Sequence, residues 1–244
     1  MEATTYIALS KQGGLRRQMN IVAHNLANMN TTGFKGEKLM FVEHLVRSKS
    51  DQSILGQKVA YVRDIATRKD FTDGSLELTN NPLDLGISGD GFFKIQTEFG
   101  IQYTRNGHFQ LDAEGQLVTE AGFPVLAEGD NPIFFAPGDT NIVVSQDGTV
   151  STQNGELGKL ALVTFKNPQK LKPSEPSLFR GGGEAIPVET PSIHQGMLEG
   201  SNIQPIVEMS YMISVHRAYD NIKMFLERED QRIRDMAKGL AQVV

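Results

Sequence analysis

The side chains able to do chemistry are few and scattered. Five histidines stand at His24, His44, His108, His194 and His216. No two have the H-E-x-x-H or similar spacing that sets ligands on one face of a helix, so no metal site is expected and each reads as a packing or surface residue. Asp84 and Asp90 are six apart in a turn-rich stretch and would pair for acid–base work only through the fold. "GISGDG" at 86–91 is not G-x-S-x-G, and no helix follows it to make a nucleophile elbow. A tight turn feeding a strand over 92–97 is the better reading. Phosphate-cradling and EF-hand patterns are absent, and "LDAEGQL" at 111–117 reads as a hairpin turn. The chain has no cysteine, which excludes disulfides and thiolate ligands. No catalytic residue, metal or cofactor is expected.

The elements around these residues are far more legible. Leu15, Met19, Val22, Leu26 and Met29 step by four and three, the seam of a heptad helix. Residues 18–34 hold no Asp, Glu, Lys or Arg, where roughly four would be expected from the chain's average. Amides take the polar positions, and neutral amides are desolvated at less cost than charges, so the helix should pack on more than one side. Asn30 and Gly33 supply candidate left-handed positions to end it. At the other end, Met212, Val215, Tyr219, Ile222, Leu226, Ile233, Met236 and Leu240 continue the same alternation, broken by Glu229. Asn202 is a candidate N-cap and Pro205 suits the first turn. A helix from about 203 to the end would be a rod of roughly 60 Å, too long for its own globule to bury. Its second half is dense in charge and includes an Asp230–Arg234 pair at i,i+4.

Between the helices the period shortens. Asp73-Gly74, Asp90-Gly91, Asn106-Gly107, Glu114-Gly115 and Asp147-Gly148 punctuate residues 71–165. Asn106-Gly107 predicts a type I′ hairpin within "IQYTRNGHFQLD", and strands are expected over 92–97, 116–119, 142–145 and 159–165. Residues 38–48 are read as helix, 49–70 as extended linker, and the Pro- and Gly-rich stretch 166–200 as loop. The expected class is α+β: long terminal helices forming a coiled-coil-like layer, and a central antiparallel all-β domain. The expected parts are 1–35, a linker over 36–75, the β domain over 76–185, a return linker over 186–200, and 201–244.

Net charge is −5 with cations unclustered, which argues against nucleic acid. The N-terminus predicts no Sec leader, and no stretch approaches the ~18 apolar residues of a membrane span.

Four blocks carry a resemblance: "NLANMNTTGFK" at 25–35, "DGSLELTNNPLDLGISGDGFF" at 73–93, "YTRNGHFQLDAEGQLVTEAGFPVL" at 103–126 and "QGMLEGSNIQPIVEM" at 195–209. Together, and in this order, they resemble the bacterial flagellar basal-body rod and hook proteins, with the length and absent large insertion most similar to the proximal-rod members. The resemblance implies a non-enzymatic structural subunit of the axial drive shaft. Its partners would be copies of itself, other rod proteins and the flagellar type III export apparatus, with assembly in the periplasm and no membrane insertion. It assigns self-assembly to Asn25, Leu26, Ala27, Asn28, Thr32, Gly33, Phe34 and Lys35, and to Leu198, Glu199, Ser201 and Asn202, beside the two heptad seams. Met29 departs from the branched residue common there, and 49–70 matches no family motif. A distal-rod member, or a binding module whose helices dimerise, stays open as an alternative.

Overall fold

A computed structural model describes residues 2–47, 58–174 and 177–241. Within them, an N-terminal helix α1 (Glu2–Ala27) is followed by the strands β1 (Glu37–Arg47) and β2 (Lys58–Lys69), then by fifteen short strands and a second long helix. The chain divides into two compact units, one of residues 1–27, 37–68 and 204–244, the other of residues 28–36 and 69–203.

In the first unit β1 and β2 form a two-stranded sheet. This corrects the helix expected over 38–48: a strand owes its state to its partner, and β2 lies in a segment without a sequence signature of its own. Residues 49–57 of the expected linker lie outside the described residues. Asn25, itself buried, holds the start of β1 by donating through Nδ2 to the Glu37 carbonyl (2.8 Å) and accepting at Oδ1 from the Glu37 N–H (2.9 Å). One amide thus serves both polar groups of one backbone residue, which a charged side chain of either sign could not do.

The C-terminal helix α2 (Pro205–Ala241) has 37 residues and spans about 55 Å. Pro205 opens it, as expected, but Asn202 is not its cap. The first helical bond runs from the Glu208 N–H to the Gln204 carbonyl, and the Asn202 amide is occupied elsewhere. α1 and α2 pack together. Val22 and Val215 are buried; Leu15, Met19, Leu26, Met212, Tyr219, Ile222 and Leu226 are half-buried, while Ile233 and Met236 are exposed. The Leu240 side chain lies outside the described residues. Asp230 and Arg234 pair at 2.6 Å. Asn30 does not adopt a left-handed backbone, so α1 ends in a turn over residues 28–33, in which the Thr31 N–H donates to the Asn28 carbonyl and Gly33 has φ of +66°.

The second unit is antiparallel β throughout its described pairings. Its strands are β3 (Leu76–Leu78), β4 (Leu85–Ile87), β5 (Phe92–Thr97), β6 (Gly100–Thr104), β7 (Phe109–Leu111), β8 (Leu117–Thr119), β9 (Val143–Val144), β10 (Thr149–Thr152), β11 (Gly155–Lys159), β12 (Leu162–Thr164), β13 (Leu171–Pro173), β14 (Leu178–Gly181), β15 (Ile186–Pro187), β16 (Ile193–Gln195) and β17 (Met197–Glu199). A six-stranded sheet runs β13-β14-β6-β5-β12-β15. β5 lies inside it with both faces covered. Phe93 and Ile95 enter a core with Leu85, Phe109 and Val125, whereas Phe92 joins Phe165, Leu171 and Phe179 on the other side. The period of two thus explains why two adjacent phenylalanines are both buried.

The Asn106-Gly107 hairpin is corrected. The tight hairpin joins β5 to β6 through Glu98 and Phe99, with Thr97 opposite Gly100. Neither Asn106 nor Gly107 has the positive φ of a type I′ turn. Instead Asn106 Oδ1 accepts from the His108 N–H, and Gly107 comes so close to the Leu85 carbonyl that an added Cβ would lie 1.7 Å from that oxygen. β7 pairs with β8 across the turn at 112–116, where Asp112 Oδ1 accepts from the Gln116 N–H (2.7 Å). The stretch 166–200, expected as loop, contains β13 to β17. Two of these close the unit on itself, β17 pairing with β3 and β16 with β4.

Candidate functional site

The β17–β3 closure gathers the four sequence blocks around one buried carboxylate. Glu199 is at the last position of β17, opposite Leu76 of β3. Its Oε1 accepts from Lys35 Nζ (2.6 Å) and from the Gly74 N–H (2.9 Å), and its Oε2 from Arg105 Nη1 (3.3 Å). Both the Lys35 and Glu199 side chains are fully shielded from solvent. Arg105 also donates through Nη2 to the Gly89 carbonyl (2.8 Å), lies over the Phe92 ring, and pairs with the partly exposed Asp73 at 3.5 Å. Two cations and two carboxylates therefore balance, which is the condition under which charge is tolerated out of water. Burial lowers the Lys35 ammonium below its ordinary pKa, opposed by Glu199 and reinforced by Arg105.

Backbone bonds fix the same segments. The Gly33 N–H donates to the Glu199 carbonyl (2.7 Å) and the Asn202 N–H to the Phe34 carbonyl (3.4 Å). The Asn202 side chain accepts from the Gly36 N–H (2.9 Å) and donates to the carbonyls of Asp70 (2.8 Å) and Thr72 (3.1 Å). Lys35 Nζ also reaches the Thr72 carbonyl (2.7 Å), and the Thr32 hydroxyl donates to Asn106 Oδ1 (2.9 Å). Gly33 is required twice over: its φ is positive, and a Cβ would lie 2.5 Å from the Arg105 carbonyl carbon. At Gly74 a Cβ would lie 2.0 Å from the Gly200 oxygen.

The residues singled out in the sequence thus fall into two places. Thr32, Gly33, Phe34, Lys35, Glu199 and Asn202 meet in this cluster, with Asn28, Met29, Leu198 and Ser201 half-buried in the same unit. Asn25, Leu26 and the two helical seams belong to the helical unit, where Ala27 is exposed. Arg105, Asp73, Gly74 and Thr72 were not singled out. A signal for Arg105 existed: the blocks at 25–35 and 103–126 each contain one Lys or Arg, Lys35 and Arg105, while the blocks at 73–93 and 195–209 contain acids and no Lys or Arg.

Among the described residues no group of His, Asp and Glu could hold a metal, and no helix is long and apolar enough to cross a membrane. The cluster ties distant segments of the chain to one another.

Comparison with known proteins places these segments. The model described as flagella basal body rod protein matches residues 6–35, that of the flagellar hook protein FlgE/F/G D1 domain matches 86–152, and that of the flagellar basal body rod FlgEFG protein C-terminal matches 194–236. The flagellar basal-body rod protein FlgF of Caulobacter vibrioides is 37% identical over the whole of both chains. FlgF of Mesorhizobium japonicum is 33% identical, covering 91% of this chain and 90% of its own, and FlgG of Buchnera aphidicola from Acyrthosiphon pisum is 34% identical, covering 90% and 93%. Likeness that runs the full length and includes every segment of the charge cluster leaves one conclusion: the chain belongs to the flagellar basal-body rod protein family.

Proposed function

We propose that this protein is a structural subunit of the proximal part of the flagellar rod, polymerising with copies of itself and with other axial proteins into the shaft that carries torque from motor to hook. The observation that carries the reading is the apolar surface left on α2. Ile206 is 80% exposed, Val207 58% and Ile213 54%, with Met209, Tyr211 and Phe225 also exposed. Apolar area of this extent on a long helix marks a surface meant for another protein. The seam facing α1 uses one stripe, so the remaining faces are free to make a coiled-coil-like layer with neighbouring helices. Close-packed apolar seams are stiff, and a contact repeated by rotation and rise builds a tube. The role is mechanical rather than catalytic, in keeping with a cluster in which Lys35, Arg105 and Glu199 are spent on holding segments of the chain together.

Delivery through the type III apparatus, followed by assembly in the periplasm, suits terminal segments that gain their packing only on docking. The test is Ile213→Asp, and separately Phe225→Asp, in the full chain expressed in cells lacking it. Both positions are exposed, so the β unit stays folded, while incorporation into purified basal bodies and swimming are lost. Normal rods built from either variant would overturn the subunit reading.

A further inference from the structure

The helical unit contains a groove of about 360 Å³ bounded by α1, the start of β1 and the start of α2, and lined by Val22, Asn25, Leu39, Val207, Glu208 and Tyr211 among others. Glu208 Oε2 is shielded from solvent there and has no hydrogen-bond partner among the described residues. A carboxylate oxygen left so is costly, and a charged donor supplied from outside would remove the cost. The groove is lined by two acids, Glu37 and Glu208, and one cation, Lys38, and the Tyr211 hydroxyl beside Glu208 is held above its ordinary pKa by burial and by the Glu208 charge. The matching surface is on α1. After Glu2, α1 has no acid but carries Lys11, Arg16 and Arg17, all exposed. Arg17 already has a partner within its own chain, whereas Arg16 makes no ion pair among the described residues. A guanidinium is more weakly hydrated than an ammonium and offers a planar fork to a carboxylate, which favours Arg16 over Lys11 for a half-dry groove.

We propose that this groove receives Arg16 from a second copy of the chain, its guanidinium pairing with Glu208 and its aliphatic stem covering Val207 and Tyr211. The contact rests on the subunit reading and specifies one of its interfaces. Made once between successive copies and not reciprocally, the contact is heterologous and propagates instead of closing a dimer.

The test uses the full chain in flagellated cells lacking the native copy. Arg16→Glu and Glu208→Arg are each expected to lower incorporation into basal bodies by about tenfold, and the double reversal to restore it to within about twofold, as complementary charge requires. Because the chain has no cysteine, Arg16→Cys and Glu208→Cys placed in separate copies allow cross-linking by a thiol reagent spanning about 10 Å, the reach of a paired Arg and Glu. A cross-linked species of two copies is expected only when both variants are present. Circular dichroism of each variant guards against misfolding, with Glu208→Gln as the milder substitute. The proposal is overturned if the double reversal assembles no better than the singles, if Lys11→Glu rescues Glu208→Arg where Arg16→Glu does not, or if the cross-link forms to a different axial protein. Loss of rods with Ile213→Asp while these reversals assemble normally would sink the pair and leave the subunit reading standing.

Discussion

Lys35, Glu199 and Arg105 are each unremarkable in sequence and interdependent in space. Removing Lys35 leaves the Glu199 carboxylate with the Gly74 amide and Arg105, and leaves two carboxylates, Glu199 and Asp73, facing the single cation Arg105. Breaking a fully buried pair from one side costs about 3–5 kcal/mol, far above the ~1 kcal/mol of an exposed pair such as Asp230–Arg234. We expect Lys35→Met to destabilise the β unit by about that much in urea unfolding. Lys35→Met combined with Glu199→Met should cost clearly less than the two single losses together, because the second change removes the charge that the first orphaned. Additivity of the two would show that the cluster is not a coupled unit. Asn25 and Asn202 work by a different logic. Each satisfies backbone groups with both ends of one amide, so they act as covalently anchored bridges between segments.

At the scale of elements, the β unit is closed by its ends. β3 and β4 at its beginning pair with β17 and β16 near its end, and residues 28–36 bond to residues 199–202 across that seam. A fragment of residues 28–203 is therefore expected to unfold in one cooperative transition. A fragment of 76–185, the span read as the β domain in the sequence, lacks β15 to β17, Lys35, Asp73 and Glu199. It leaves Arg105 without its carboxylates and β3 and β4 without partners, and we expect it to lose cooperativity or to unfold at a lower urea concentration. Equal midpoints for the two fragments, measured by circular dichroism, would show that the closure adds no stability. The strands were readable where they alternated over several residues, as β5 does. They were not where they ran two or three residues and owed their state to a distant partner, as β15 to β17 do.

For the whole molecule, the contrast between the two units predicts their behaviour in dilute solution. The β unit holds two apolar cores and the closed charge cluster, whereas α2 beyond Glu229 has every described side chain exposed. Helices stabilised mainly by packing lose most of their stability without partners. Amide hydrogen exchange of the purified monomer should therefore be fast along α1 and α2 and slow within β4 to β12. Slow exchange throughout both helices would mean a self-contained fold and would count against termini that order on assembly.

The sequence by itself determined the two helices, the β character of the middle and the family, because each rests on local periodicity or on motifs that are contiguous in the chain. It singled out Thr32 to Lys35, and Leu198, Glu199, Ser201 and Asn202, through a family resemblance, without showing which of them touch. Only the tertiary structure decided that β1 is a strand, that Asn106-Gly107 is no hairpin, and that buried Lys35, Arg105 and Glu199 form one charge cluster with Asp73 at its edge. The charge cluster depends on contacts between residues 16 to 164 positions apart, and a long-range contact leaves its mark on both partners only as ordinary residues, each intelligible once the other is in place.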